Sequence, residues 1–246
     1  MDAICNFKRI EKKYLLSEEQ YHSLFSAFGN RLRPDEFGGS TVMSLYLDTP
    51  DRRIIRSSIE ADDYKEKLRI RSYGEGSYGS TVFLELKKKF GGVVYKRRVA
   101  MRLDQAEMYL RKKQKPSGGQ MMSEIDWSMR FYGWPEPAMM IVCEREAWFD
   151  DENPDLRLTF DRNIRAREYD LKFRNAEAGE ALLPDDTVLL EIKTAGAMPL
   201  WLADALDGER IFPHSFSKYG TAYMRSEIKK HIIPIADGGL KDAVNF

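Results

Sequence analysis

The sequence predicts a β-dominated α+β fold in which eight antiparallel strands close around a charged interior and helices pack on the outside. Three observations lead there. Eight segments alternate apolar and polar residues with period two, several links between them are short enough for hairpins, and at least four helical stretches carry an apolar stripe that needs a sheet face to dock on.

The first strand is predicted at Phe7 to Leu16. Ser17 with Gln20 then forms a capping box, and Tyr21, Leu24, Phe25 and Phe28 follow at helical spacing. Strands follow at Thr41 to Thr49, Tyr64 to Tyr73, Thr81 to Lys89 and Val93 to Met101, the last two joined by the tight turn Phe90-Gly91-Gly92. Asp104 with Glu107 reads as a second capping box ahead of Met108 and Leu110, and Ser123 as the start of a helix bearing Ile125, Met129 and Tyr132. Met139 to Phe149 and Asp155 to Asp161 pair across the short link Asp150 to Pro154, and Thr187 to Thr194 completes the eight. Pro199 suits the first turn of a short helix through Leu202 and Leu206.

With neither an internal repeat nor a long linker, the 246 residues read as a single domain, 1–246, with a loose C-terminal tail from about 234. A hydrophobic fraction of 43% excludes a disordered chain, and 39 Lys and Arg cancel 39 Asp and Glu, which argues against a strongly basic nucleic-acid binder. The longest apolar run, Ala138 to Cys143, is far too short to span a membrane, and Met1 to Ile10 holds no signal-peptide core, so a soluble, cytoplasmic protein is expected. Two cysteines, Cys5 and Cys143, and three histidines build neither a disulfide framework nor a zinc site. His22, His214 and His231 fall in helix or loop contexts and read as structural. Any metal would have to be held by carboxylates, which favours a hard cation such as Mg or Mn.

Alternation divides each strand into two faces. From Tyr64 to Tyr73 one face is Lys65, Lys67, Arg69 and Arg71; Glu85 and Lys87 share a face on the next strand, as do Lys96 and Arg98 on the one after. Arg157 and Asp161 oppose Leu156, Leu158 and Phe160, and Glu191 and Lys193 oppose Val188, Leu190 and Ile192. A charged face on a one-sided sheet ordinarily points to water. Here the helices need the Leu, Ile and Val faces, which turns the charged faces inward. Three Glu-x-Lys patterns recur, at Glu11-Lys12-Lys13, Glu85-Leu86-Lys87 and Glu191-Ile192-Lys193. An interior of Lys13, Lys67, Arg69, Arg71, Lys87, Lys96, Arg98, Arg145, Arg157 and Lys193 repels itself, and a polyanion such as a linear phosphate chain relieves it best.

The segments Arg9-Ile10-Glu11-Lys12-Lys13-Tyr14, Ser44 to Thr49, Leu68 to Gly74, Leu84-Glu85-Leu86-Lys87, Leu190-Glu191-Ile192-Lys193 and Phe216-Ser217-Lys218-Tyr219 resemble, in order and phase, the VTC domain. This is the polyphosphate polymerase domain of the vacuolar transporter chaperone family, within the CYTH and triphosphate tunnel metalloenzyme superfamily. The resemblance spans roughly Phe7 to Tyr223. It implies a tunnel-shaped antiparallel barrel that uses a divalent metal, Mn or Mg, to transfer the γ-phosphate of ATP onto inorganic polyphosphate. By that analogy Lys13, Arg69, Arg71, Lys87, Lys96, Arg145, Arg157 and Lys218 match the catalytic basic positions, Lys218 entering through the resemblance alone. Of these, Arg69, Arg71, Lys87, Arg145 and Arg157 would clamp the phosphates, and Lys13, Lys96 and Lys218 would orient the acceptor or leaving group. Lys67, Arg98, Lys193 and Ser217 would add substrate contacts, and Glu191, with Glu85 and Glu11, would carry the metal.

Hydrolytic CYTH proteins open with Glu-x-Glu-x-Lys; here Arg9 takes the first position, which favours a polymerase over a two-metal hydrolase. The regulatory SPX domain and membrane helices of the family have no counterpart in the sequence, so partners reduce to ATP and polyphosphate, with a membrane-protein partner allowed by family analogy. The rivals are a triphosphate or nucleoside triphosphate hydrolase and a non-catalytic polyphosphate or inositol phosphate-binding module. The latter has no use for Glu191. Nucleic acid is not expected, because no aromatic residues interleave the Lys65 to Arg71 face.

Overall fold

The computed structural model describes residues 10–61, 63–91 and 93–231. The predicted strand start at Phe7 to Arg9, Cys5, Gly92 of the tight turn and the tail from about 234 lie outside them. In chain order the elements are β1 (Ile10–Ser17), α1 (Glu18–Phe28), β2 (Leu32–Asp48), α2 (Arg53–Glu60), β3 (Tyr64–Tyr73), β4 (Thr81–Phe90) and β5 (Val93–Arg102). There follow α3 (Leu103–Lys112), α4 (Gly119–Phe131), β6 (Glu136–Asp150), β7 (Arg157–Arg167), β8 (Glu180–Ala181), β9 (Thr187–Thr194), α5 (Leu200–Gly208) and α6 (Lys218–His231).

All pairings are antiparallel, in the order β1-β9-β7-β6-β2-β3-β4-β5, with the two-residue β8 beside β7. The closed barrel expected from the sequence is therefore an open sheet. Its edges are β1 and β5, and no ladder among the described residues joins them. The sheet still curls far enough for Lys87 Nζ on β4 to come within 3.4 Å of Glu11 Oε2 on β1. Alternation fixes which face looks inward; it does not bring two edges to the 4.7–4.9 Å spacing that a ladder requires.

Strand ends also differ from expectation. β7 runs on past Asp161 to Arg167, because a bulge interrupts its alternation: Glu144 pairs with Arg162 but Val142 with Arg165, and Asn163 adopts φ 49°. Asp161 and Ile164 consequently both face inward. β2 begins at Leu32, with an irregularity between Pro34 and Gly39 that hides its first turn of pattern.

The Ser17–Gln20 capping box forms as predicted, each side chain bonding the other's backbone N–H at 3.1 Å. The box at Asp104 and Glu107 does not: α3 starts at Leu103, where Gln105 Oε1 accepts the Arg102 N–H at 3.0 Å and Asp104 pairs with the Arg102 guanidinium instead. Ser123 lies inside α4 and donates to the Gly119 carbonyl. That helix starts earlier because Gly118 and Gly119 permit it, since a Cβ on Gly118 would sit 2.7 Å from Met122 Cβ and Gly119 has φ 63°. Helix α2 was not foreseen. Its cap comes from the end of β2: Asp48 accepts the N–H groups of Ile54 and Ile55, and Thr49 Oγ1 that of Arg53.

Three apolar clusters result. Met43, Leu45, Leu68, Ile70, Leu84 and Val142 on the outer face of one half meet α3 and α4 through Tyr109, Ile125 and Met129. Leu158, Phe160, Leu190 and Ile192 on the outer face of the other half meet α1 and α5 through Leu24, Phe28, Leu202 and Leu206. The third departs from the expectation of helices outside only: Phe216 and α6, with Tyr219, Ala222 and Tyr223, pack on the inner face against Val42, Tyr46, Ile141, Cys143 and Leu189. The inward face is thus polar at one end and plugged at the other.

Leu68 is fully buried in the outer layer, one residue from Arg69 on the opposite face. Leu68→Ala is expected to lower stability by roughly 2–5 kcal/mol through the cavity it leaves. Tripolyphosphate affinity of the folded protein should stay within about twofold, because the removed atoms lie behind the sheet. Urea denaturation and calorimetric titration check the two halves; a large loss of affinity would show that the faces are assigned wrongly.

Candidate functional site

Register across the sheet brings the predicted charges together. Antiparallel pairing of β1 with β9 sets Glu11 opposite Lys193 and Lys13 opposite Glu191. Across β3, β4 and β5, Arg69 faces Glu85 and Glu85 faces Arg98, while Lys67, Lys87 and Lys96 form a single row of three cations. Like charges directly opposite one another destabilise a sheet.

Three buried carboxylates hold this face together. Glu85, 1% exposed, is met by Arg69 at 2.7 Å, Lys96 at 2.7 Å and Arg98 at 3.4 Å. Asp161 is fully buried and accepts both Arg145 nitrogens at 2.5 and 2.6 Å and the Lys218 ammonium at 2.5 Å. Glu191 takes Lys193 on Oε2 at 2.9 Å, and Lys218 and Lys13 on Oε1 at 3.4 and 3.6 Å. Burial alone would raise all three carboxyls, but the surrounding cations prevail: Arg69, Arg71 and Lys96 hold Glu85 far below the usual carboxylate range, Arg145 and Lys218 hold Asp161 low, and Lys193, Lys218 and Lys13 do so for Glu191. All three are anions at neutral pH.

Other placements complete the site. Arg71 donates to Ser44 Oγ at 3.3 Å; burial first, then Arg69, pulls its pKa down against the attraction of Glu85. Lys13 Nζ donates to the Phe216 carbonyl at 2.8 Å and Lys67 Nζ to Ser217 Oγ at 2.9 Å, which ties the strands to the start of α6. Arg157 is the outlier. It sits half-exposed at the rim, paired with Asp35 at 3.0 Å and lying over the Phe149 ring at 4.9 Å.

The three predicted metal carboxylates do not converge. Glu11 and Glu191 are neighbours across the β1–β9 ladder, whereas Glu85 is enclosed by its own cations on the other half, and no cluster of three acidic, His or Cys side chains that could hold a metal exists among the described residues. The Glu11–Glu191 pair does fit a cation, because Lys13 Nζ already lies 3.6 Å from an oxygen of each. Hard divalent cations are commonly held by one or two carboxylates, with substrate phosphates supplying the remaining ligands.

Two functional candidates were missed. Asp161 shares a face with Arg157 and Thr159, and Arg145 lies opposite it across the predicted hairpin, so its inward orientation was legible; that it would also anchor Lys218 was not, since that partner lies far away in sequence. Tyr46 escaped notice as one more aromatic in a strand. It is buried at the floor of the site, accepts from Arg69 Nη1 at 3.2 Å and stacks on Tyr219 at 4.4 Å.

The VTC domain profile matches residues 8–226. No curated protein matches the sequence significantly. Among solved structures, a putative adenylate cyclase from Bacillus halodurans is similar at 15% identity and TM-score 0.53, over 92% of this chain and 97% of that one. A putative adenylyl cyclase from Hippeastrum with a dominant triphosphatase activity is similar at 17% identity and TM-score 0.50, over 92% and 98%. At these identities the likeness is one of fold.

Burial would raise the Tyr46 phenol, but Arg69, Lys67 and Arg71 outweigh it and bring the pKa from 10.0 to about 8. The folded protein therefore releases a proton between about pH 8 and pH 10 that the unfolded chain still holds, so Tyr46 adds stability as pH rises through that window. Tyr46→Phe removes this contribution. The stability gap between wild type and variant should widen in favour of wild type by on the order of 2 kcal/mol from pH 7.5 to pH 10. Denaturant titrations at the two pH values test it, and a pH-independent gap would contradict the cationic environment described here.

Proposed function

Because this chain belongs to the VTC domain family, we propose that it transfers the γ-phosphate of ATP onto a growing inorganic polyphosphate chain held on its inward face, with Mn or Mg as cofactor. The observation that carries this reading is the cation row Lys67–Lys87–Lys96 on the same inward face as Arg69, Arg71 and Arg145, where the cations outnumber the buried carboxylates that pair with them. A linear polyphosphate presents a negative charge at each repeat and matches such a row; a compact monoanion does not.

Phosphoryl transfer passes through a loose transition state with charge spread over equatorial oxygens, so positioning and electrostatics supply most of the catalysis. Arg69, Arg71 and Arg145 are held rigidly by Glu85, Ser44 and Asp161, and each guanidinium can grip two phosphate oxygens without first being reoriented. Lys87, Lys96 and Lys67 follow the chain as point charges. Lys218, anchored to Asp161 and Glu191, stays protonated: burial works against its charge, but Asp161 and Glu191 raise its pKa above the ordinary value. It can therefore stabilise charge on a leaving oxygen without giving up its proton. Glu11 and Glu191 would hold the divalent cation, which when bound neutralises charge on the transferring group. Against the cost of burial, Lys87, Lys193 and Lys13 keep Glu11 ionised, and Lys193, Lys218 and Lys13 do so for Glu191.

The second reading is triphosphate hydrolysis, supported by the shared fold of the Hippeastrum protein with its triphosphatase activity. In that case water replaces the polyphosphate end as acceptor. No helix among the described residues is long and apolar enough to cross a membrane. A cytoplasmic site of action, with its ATP supply, belongs to the proposal.

Incubation with ATP and Mn should give ADP and a ladder of acid-labile polyphosphate on a gel. Orthophosphate released one-for-one with ADP, without a ladder, would establish the hydrolase instead. Glu191→Gln should reduce turnover at least a hundredfold while tripolyphosphate still binds, because the phosphate clamps lie on other strands. Full metal-dependent activity in that variant would remove Glu191 from the mechanism.

A further inference from the structure

The inward face carries an aromatic cluster beside its charges at the C-terminal end of β3. Lys67 meets Ser217 just before α6, and Tyr73 lies six residues further along β3, roughly 20 Å away at strand spacing. There Tyr73 is 46% exposed and meets the Phe83 ring edge-to-face at 5.8 Å and 78°. The Arg98 guanidinium lies 3.6 Å above the Phe83 centroid and donates to the Tyr73 hydroxyl at 3.3 Å. The cluster joins the phosphate clamps directly. Arg71 is the Cα partner of Phe83, and Arg98 shares Glu85 with Arg69.

Inorganic phosphate chains have no flat apolar surface, so an exposed aromatic ring contributes nothing to holding them. A ring set against a guanidinium plane instead matches a planar heterocycle, which gains dispersion from the ring and cation–π attraction from the arginine. Arg98 is itself pinned by Glu85 and Phe83, so its plane is preorganised. We propose that Tyr73 and Arg98, backed by Phe83, form a nucleobase subsite at this mouth, which receives the base of a nucleoside triphosphate whose phosphates lie on Arg71 and Arg69. This rests on the basic face being a triphosphate site. It adds to that reading a reason for the protein to distinguish a nucleotide donor from an inorganic polyphosphate, by a contact that only the nucleotide makes.

The test compares ATP with inorganic tripolyphosphate in calorimetric titrations of the full chain in EDTA, where metal-dependent turnover is absent. Tyr73→Leu should weaken ATP about tenfold, near the low end of what base stacking contributes, and leave tripolyphosphate within twofold, which also shows the variant folded. Tyr73→Trp should restore ATP affinity to within about threefold of wild type. Unchanged ATP affinity in Tyr73→Leu, or equal weakening of both ligands, would overturn the subsite while the basic face stands. Failure of wild type to bind tripolyphosphate at all would overturn the basic face and the subsite with it.

Discussion

Everything inside this protein depends on keeping a crowd of cations buried without letting them drive the sheet apart. Removing a charge from water is repaid only by close pairing, and pairing must be imperfect if an anion is to bind. Glu85, Asp161 and Glu191 meet both requirements. Each bridges cations from different elements: β3 and β5 for Glu85, β6 and α6 for Asp161, β1, β9 and α6 for Glu191. Each is outnumbered by its partners, so the bridges cross-link the interior and leave it positive. On the proposed function, the charge that stabilises the site and the charge that would bind ligand are the same groups, used once by carboxylate and again by phosphate.

The open edge of the sheet follows from this. A barrel closed by backbone hydrogen bonds has a fixed circumference, whereas here the approach of β1 to β4 is spanned by Lys87 and Glu11. A side-chain pair tolerates changes of width that a ladder would not, and it is screened by salt. It is also made from two groups with a stake in the ligand: Lys87 belongs to the cation row and Glu11 neighbours Glu191. On the proposed function, phosphate along the row would compete with Glu11 for Lys87, which would couple occupancy to the state of the edge through one ammonium group.

Strand alternation made much of this legible in the sequence. The inward placement of Lys67, Arg69, Arg71, Glu85, Lys87, Lys96 and Arg98 needed only the two-residue period and the presence of helices requiring the other face. Features that depend on a departure from period, or on contacts distant in sequence, were not legible. The bulge at Asn163 truncated the predicted β7, and the distance of Lys218 in sequence concealed that it joins Arg145 on Asp161. The inner position of α6 could not be read from its sequence, because an amphipathic helix looks the same whichever face of a sheet it covers. The closed barrel was an inference too far for a similar reason, since closure is a property of the two edges together and neither β1 nor β5 encodes it alone.

The three Glu-x-Lys patterns show how register divides identical sequence between different tasks. Two of them face each other in antiparallel β1 and β9, and this alignment places every glutamate opposite a lysine, Glu11 with Lys193 and Lys13 with Glu191. Those carboxylates lie close together with one ammonium between them, an arrangement a divalent cation can take over. The third, on β4, faces no copy of itself. Its glutamate meets Arg69 and Arg98, and its lysine meets Lys67 and Lys96. Glu85 is therefore committed to holding arginines, and Lys87, flanked by Lys67 and Lys96, reaches across to Glu11 at 3.4 Å. One half of the sheet is consequently suited to a cation and the other to phosphate. On the proposed function, a metal-bound triphosphate, which carries both, would satisfy the two halves at once.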